Sequence, residues 1–294
     1  MTVEASTRTV EVPGATLVYD VRQPADAADD RCPLLMIGQP MDATGFTTLA
    51  SQFPDRTVVT YDPRGLGRSA RSDGRADNDP QQHADDLHRL VADLGAGPVE
   101  VFGSSGGAVD GLALVETHPQ DVRVLVAHEP PLTHLLPDAD AVRRAEQDVS
   151  RAYQEAGFGH GMARFIAYTS WEGELTPEFF DRPAPDPAAF GLPSQDDGSR
   201  DDPLLSGASD SVTAWTPDFD ALASSQVRLV IAAGEESARQ VTGRSAQAVA
   251  ERLGLPLTMF PSHHAGFLGP ELGWPGQPEA FADRLREVLD SRAR

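Results

Sequence analysis

The segment Val99-Glu100-Val101-Phe102-Gly103-Ser104-Ser105-Gly106-Gly107 holds a serine in Gly-x-Ser-x-Gly spacing, with Ser105 between Gly103 and Gly107. Ser104 does not fit that frame, because position 102 is phenylalanine. The apolar run before the motif reads as a strand, and the stretch from Gly107 to about Thr117, with Pro119 just beyond, reads as a helix. A serine on so sharp a strand-to-helix turn sits on a strained backbone, and only small neighbours let the turn close. The start of the helix offers free N–H groups where an oxyanion develops. The chemistry implied is nucleophilic attack on a carbonyl. The competing reading is a glycine-rich structural turn, and the flanking strand and helix argue against it.

Such a turn needs a sheet to hold it. Leu34–Ile37, Thr57–Tyr61 and Val122–Ala127 are short, continuously apolar runs, as expected of strands covered on both faces. Thr7 to Arg22 reads as a hairpin turning at Pro13-Gly14. A helix begins at Asp79-Pro80, carries Leu87, Leu90, Val91 and Leu94 at helical spacing, and stops at Gly95. Strands alternating with helices of this length imply βαβ units and an α/β, doubly wound, mostly parallel sheet.

The alternation breaks between about Pro130 and Ala221. Residues 141–155 read as helix, and residues 177–203, rich in Pro, Asp and Gly, read as loop. The stretch also carries Trp171, Trp215, Phe158, Phe165, Tyr168, Phe179, Phe180 and Phe190, and disordered chain normally lacks aromatics. It is therefore expected to be an ordered insertion. Alternation resumes with strand 227–233, helix 238–253, strand 257–260 and a last helix near 278–289. The expected organisation is a core of residues 1–132 and 222–294 with an insertion at 133–221.

With Lys+Arg at 24 and Asp+Glu at 45, the net charge is −21, against a nucleic-acid partner and against docking on anionic lipid. Its plain reading is solubility. Cys32 is the one cysteine, which leaves no intrachain disulfide and no cysteine zinc cluster. The first eight residues, Met1 to Arg8, lack a signal peptide's apolar stretch, and no apolar run approaches the ~18 residues of a membrane helix, so a cytoplasmic location is expected. Gly65-Leu66-Gly67 lacks the third glycine of a dinucleotide fingerprint, and no phosphate loop is present. No cofactor and no metal are expected.

From the nucleophile motif outward, the chain resembles the α/β-hydrolase superfamily over nearly its whole length apart from the insertion. The resemblance implies about eight strands and a mainly helical cap. It gives Tyr61-Asp62-Pro63-Arg64-Gly65-Leu66-Gly67-Arg68-Ser69 a structural role, with Asp62 and Arg64 in local polar contacts. It places the catalytic base after the last strand, in Pro261-Ser262-His263-His264-Ala265-Gly266-Phe267, where a small residue and glycine after the histidine favour His264 over His263. The usual aspartate position, three residues past Gly234, holds Ser237. Glu235 and Glu236 lie nearby in other registers. An alternative acid position ends the strand after the nucleophile helix, and there the chain has Glu129, 24 residues past Ser105 and followed by Pro130-Pro131. That placement is similar to the zearalenone lactonases, and Glu129 is favoured over Glu235 or Glu236 as the residue that orients the imidazole.

The same resemblance implies an oxyanion hole from the N–H of Gly106 and a second N–H in Gly38-Gln39-Pro40-Met41, where Gln39 is favoured, Pro40 has no N–H and Met41 is the fallback. Met41, Trp171, Phe179 and Trp215 are expected to line the substrate pocket, with Phe180 beside them. The expected function is cleavage of a carboxylic ester or lactone of a hydrophobic substrate through an acyl-enzyme, with a resorcylic macrolactone as the sharpest case. A ligand receptor of this fold with negligible turnover, and a biosynthetic thioesterase or acyltransferase, are the alternatives. A homo-oligomer is expected at superfamily level.

Overall fold

The computed structural model describes residues 5–24 and 31–291, so Met1 to Glu4 of the N-terminal reading lie outside the described residues. The first hairpin turns at Pro13-Gly14, joining β1 (Ala5–Val12) to β2 (Ala15–Arg22). Gly14 adopts a φ of 78°, which glycine accepts at low cost. The remaining strands are β3 (Leu34–Gln39), β4 (Val58–Asp62), β5 (Ala70–Arg71), β6 (Val99–Ser105), β7 (Val122–His128), β8 (Arg228–Gly234) and β9 (Leu257–Phe260). The helices are α1 (Thr47–Ser51), α2 (Pro80–Leu94), α3 (Gly106–Thr117), α4 (Ala139–Ala156), α5 (Phe158–Thr169), α6 (Pro177–Phe180), α7 (Asp210–Ala214), α8 (Phe219–Ser224), α9 (Val241–Leu253) and α10 (Pro278–Asp290).

Among the described residues the sheet has nine strands, in line with the expected eight or so; the two-residue β5 pairs with β2 beside the main order. The order is β1-β2-β4-β3-β6-β7-β8-β9. β1 and β2 pair antiparallel, β2 and β4 pair antiparallel, and every step from β4 to β9 is parallel. The parallel strands are apolar throughout because each feeds two cores. Leu35, Ile37, Val101, Leu125 and Ile231 face the side packed by α2, α3 and α9. Their neighbours Leu34, Met36, Phe102, Val126 and Ala232 face the side packed by α1 and α10. Adjacent strand residues point to opposite faces, so an uninterrupted apolar run fits a sheet covered on both sides.

Strand β6 lies mid-sheet between β3 and β7, which fixes the motif turn from both sides. The long connection between β7 and β8 carries α4 to α8. Helix α4 buries Val142, Ala145, Val149 and Tyr153, a helical stripe. Helix α5 packs closely on it: a Cβ on Gly161 would lie 2.7 Å from Tyr153 Cβ. No helical pattern in the sequence marks α5. Residues 177–203 read only as loop, and there α6 and a short 3-10 turn at Pro187–Phe190 form. Among the described residues no helix is long and apolar enough to cross a membrane.

Candidate active site

Strand β6 delivers Ser105 to the junction with α3 at φ 57° and ψ −127°. A non-glycine residue held there stores strain of roughly 1–3 kcal/mol. The glycines of the motif make the junction physically possible. A Cβ on Gly103 would sit 2.6 Å from the Gly107 carbonyl oxygen, and one on Gly107 would sit 2.3 Å from that of Ile37. A Cβ on Gly106 would meet the Gln39 carbonyl oxygen at 2.6 Å. Each glycine is therefore required by backbone packing, and the spacing records that requirement. Gly106 opens α3, so its N–H has no partner within the helix. Gln39 ends β3 in register with Ser105. The two peptide segments named for the oxyanion hole are thus adjacent.

The loop carrying Gln39 is braced by the Asp62 turn. Asp62 Oδ1 accepts the Ala43 N–H at 3.0 Å, and Oδ2 accepts the Arg68 N–H at 2.8 Å and its Nε at 2.7 Å. Arg64 donates through Nε to Asp86 at 2.7 Å. These are the local polar contacts expected of Asp62 and Arg64.

His264 lies in the loop after β9, and its Nδ1 stands 2.6 Å from Glu129 Oε2. Glu129 directly follows β7, is fully buried and has a φ of 51°. Its other oxygen, Oε1, accepts the Gly234 N–H at 2.8 Å and the Ser237 hydroxyl. Thr242 donates its hydroxyl to Oε2. Burial alone would raise the pKa of this carboxyl. The facing His264, followed by the His264 and Ser237 hydrogen bonds, outweighs burial and holds it well below the usual carboxylate range. The neighbouring His128 is also fully buried, and burial pulls its pKa down to about 4, so it is neutral at ordinary pH. Its Nδ1 lies 3.3 Å from Ser104 Oγ, and its ring lies 6.1 Å from that of His264. The competing candidates make other contacts, although His263 and Glu236 line the same cavity as Ser105 and His264. His263 Nδ1 accepts the Ala265 N–H at 3.1 Å, and the ring lies 5.7 Å from Trp274. Glu235 and Glu236 are exposed and bind through their backbone N–H groups to Phe260 and Ser262.

Ser105, Gly106, Gln39 and His264 line one cavity of about 390 Å³. Its other walls come from α4, α5, α7 and the start of α9, including Glu146, Phe165, Tyr168, Asp210 and Thr242. The expected pocket aromatics are placed differently. Trp171 and Phe179 line a separate cavity of about 250 Å³, together with Phe180. There Trp171 and Phe179 pack edge to face at 5.4 Å, and Arg182 lies 4.4 Å from the Trp171 ring centre. Trp215 packs against the core beneath α3 and α9. Met41 packs against the opposite core, filling the space that Gly38 and Gly45 leave free. None of these four is among the described lining residues of the Ser105 cavity. Apolar side chains are consumed by packing, Trp171 and Phe179 within the helical segment and Trp215 against the sheet's core, so composition alone does not say which aromatics reach the cavity. The aromatics at the Ser105 cavity are Phe165, Tyr168 and Trp274.

Residues 40–166 match a family model described as the alpha/beta hydrolase fold. A Bacillus subtilis protein named as the uncharacterized hydrolase YraK is 30% identical over 290 residues, covering 96% of this chain and 95% of that protein. The chain belongs to the α/β-hydrolase family. An esterase from Thermogutta terrifontis shares the hydrolase's fold with a TM-score of 0.63 at 18% identity, covering 97% of this chain and 98% of its own. An enzyme described as degrading N-acyl homoserine lactones shares it with a TM-score of 0.57 at 20% identity, over 96% and 98%.

Two residues beside this hydrolase's Glu129 were not anticipated as site residues, Ser237 and Thr242. Ser237 stands where the common family pattern carries its acid, so the relocation of the acid was the available signal. Thr242 lies in the first turn of α9 and left no mark in the sequence pattern. Glu146, too, was not anticipated.

Proposed function

We propose that this α/β-hydrolase is a serine hydrolase that cleaves a carboxylic ester or lactone through an acyl-enzyme on Ser105. The observation that carries the reading is the 2.6 Å His264–Glu129 pair, with His264 lining the same cavity as the strained Ser105. Glu129 fixes the imidazole with Nδ1–H toward the carboxylate, which leaves Nε2 as the base. His264 takes the Ser105 proton as Oγ attacks the carbonyl carbon. The Gly106 and Gln39 N–H groups receive the developing oxyanion. The returned proton releases the alcohol, which stays tethered to the acyl group when the substrate is a lactone. Water then repeats the sequence and frees the acid.

Support for the ester and lactone class comes from the serine nucleophile and from the esterase and lactone-degrading neighbours that share the fold. A resorcylic macrolactone remains the sharpest substrate proposal; the position of Glu129 supports it. Ring opening of such a lactone tests it directly, and cleavage of simple esters with the macrolactone untouched would remove it.

The nucleophile is tested by a fluorophosphonate. A covalent adduct is expected on Ser105 by peptide mass spectrometry, lost in Ser105→Ala and reduced by about 10³-fold or more in rate in His264→Ala. Labelling of another residue, or undiminished labelling in His264→Ala, would overturn the reading.

A further inference from the structure

The Ser105 cavity has an unusual charge balance. Among the described residues that line it there is no arginine or lysine, while Glu146, Asp210 and Glu236 all face it. Glu146 projects from α4 and is partly buried. Its Oε1 receives two long hydrogen bonds, from Thr133 Oγ1 at 3.3 Å and from Tyr168 OH at 3.4 Å. Its Oε2 has no hydrogen-bond or ion-pair partner among the described residues. Arg143, three residues earlier on the same helix, whose charge acts on Glu146, is paired with Asp140. Asp210, exposed at the cavity rim on α7, likewise has no side-chain partner among the described residues. Burial raises the pKa of both carboxyls, and Asp210 raises that of Glu146 further.

A second, independent observation lies at the nucleophile end. Gln39 is 2% exposed, yet neither Nε2 nor Oε1 has a hydrogen-bond partner. Its stem runs over Gly106, with Cβ and Cγ 2.9 and 3.2 Å from where a Gly106 Cβ would stand, and the residue lines the cavity. A buried amide with both ends unmet is costly unless something binds it. The cavity wall therefore holds a buried, unmet amide beside Ser105, and the cavity is faced by one unmet carboxylate oxygen on α4 and an unpartnered carboxylate on α7.

We propose that the preferred substrates carry a protonated amine, seated by Glu146 with Asp210 at the rim, while the Gln39 amide holds the polar group next to the scissile carbonyl. This rests on the serine-hydrolase reading above and names, for the same site, a substrate class other than the neutral macrolactone, so a preference for the amine counts against the macrolactone. A neutral chain of equal size leaves the Glu146 carboxylate facing apolar atoms. An anionic chain meets three carboxylates of like charge.

The test uses two esters of the same shape, 4-nitrophenyl 6-aminohexanoate and 4-nitrophenyl heptanoate. Wild-type kcat/KM is expected to favour the amine by at least about tenfold, with the preference shrinking as salt is added. The preference is expected to fall by about tenfold in Glu146→Gln and by a smaller factor in Asp210→Asn. Because Asp210 is exposed, its variant keeps the test available if Glu146→Gln folds poorly. A wild-type preference for the heptanoate, or a ratio unchanged in both variants, overturns the proposal. Failure to cleave either ester, together with no fluorophosphonate adduct on Ser105, counts against the hydrolase reading instead. The subsite is then judged by calorimetry with 6-aminohexanamide: binding weakened in Glu146→Gln supports it, and absence of binding to the wild type refutes it.

Discussion

Glu129, which bonds His264, and Glu146, which lines the Ser105 cavity, come from different parts of the fold, and their surroundings push them in opposite directions. Glu129 comes from the parallel sheet, at the end of a strand held by neighbours on both sides. It is fully buried, yet a backbone N–H, two hydroxyls and an imidazole meet its two oxygens. Glu146 comes from the helical segment between β7 and β8. It is less buried, yet has only two long hydroxyl contacts on one oxygen. Burial raises the pKa of both. Specific partners reverse the outcome for Glu129 and leave it standing for Glu146. Depth of burial is therefore a poor guide to the charge state of a carboxyl, and the count of aligned donors is a better one. The sheet supplies donors in fixed positions because its strand ends and loops are over-determined by packing. The helical segment supplies a face whose carboxyl groups meet few donors.

The comparison breaks most visibly at Glu129. Glu129→Gln keeps the volume but removes the charge that faces His264 and the acceptor that selects its tautomer. Its kcat is expected to fall by about 10³–10⁴, measured on any ester the wild type cleaves. Full activity would transfer the orienting role to Glu235 or Glu236. The same variant has a pH signature. The folded-state pKa of Glu129 lies below its unfolded value, so its contribution to stability is complete above that unfolded value, ~4.3, and is lost as pH falls toward the folded value. Thermal denaturation between about pH 5 and 2 should show wild-type stability falling more steeply than that of Glu129→Gln. Parallel curves would mean that the carboxylate gains nothing from its partners.

The same contrast between sheet and helical segment governs how much was legible in the sequence. The sheet core was legible because its strands are continuously apolar and its turns use glycine and proline where backbone geometry demands them. Gly103 and Gly107 mark the nucleophile turn for the steric reason that the Cβ distances make explicit. Glu129 was legible only through its place in the chain order; its donors Ser237 and Thr242 come from 108 and 113 residues away and follow no local period. The helical segment was least legible. Helix α5 contains Gly159 and Gly161, which lower helix propensity, and both are required by close approach. A Cβ on Gly159 would lie 1.7 Å from the Pro193 carbonyl oxygen. Tertiary packing overrode propensity there. It also decided which aromatics reach the cavity: Trp171 and Phe179 are drawn into a cluster around Tyr168, Tyr168 itself lines both that cluster's cavity and the Ser105 cavity, and Phe165 lines the Ser105 cavity.

A finer test concerns the donors. Ser237→Ala removes one hydroxyl from Glu129 Oε1 and leaves the Gly234 N–H in place. A hydrogen bond to a charged group of this kind contributes ~1.5–3 kcal/mol, so stability should fall by about that amount. The kcat is expected to fall by roughly tenfold, with KM little changed, because the loss acts through the orientation of His264. The double variant Glu129→Gln with Ser237→Asp places a carboxylate where the common family pattern has one. Recovery of about tenfold or more over Glu129→Gln alone is expected. No recovery would mean that His264 is positioned for a carboxylate from β7 and from no other element.

The smallest expected effect lies at Glu146 and has the opposite sign. Its pKa is raised on folding, so the carboxyl supports the folded state when protonated and opposes it as pH rises through the folded value. Removing the charge with Glu146→Gln keeps the Thr133 and Tyr168 contacts on an amide oxygen and relieves the unmet carboxylate. The Tm of the ligand-free variant should therefore exceed the wild type at pH 8 by about 1–3 °C, in the range of a modest single-site change. The gain should shrink at pH 4, where the wild-type carboxyl is itself becoming neutral. An amine that fills the cavity should erase the gain at pH 8 by stabilising the wild type more than the variant. A Tm lowered at both pH values would show that Glu146 holds the helical segment together, and that its carboxylate serves packing rather than ligand.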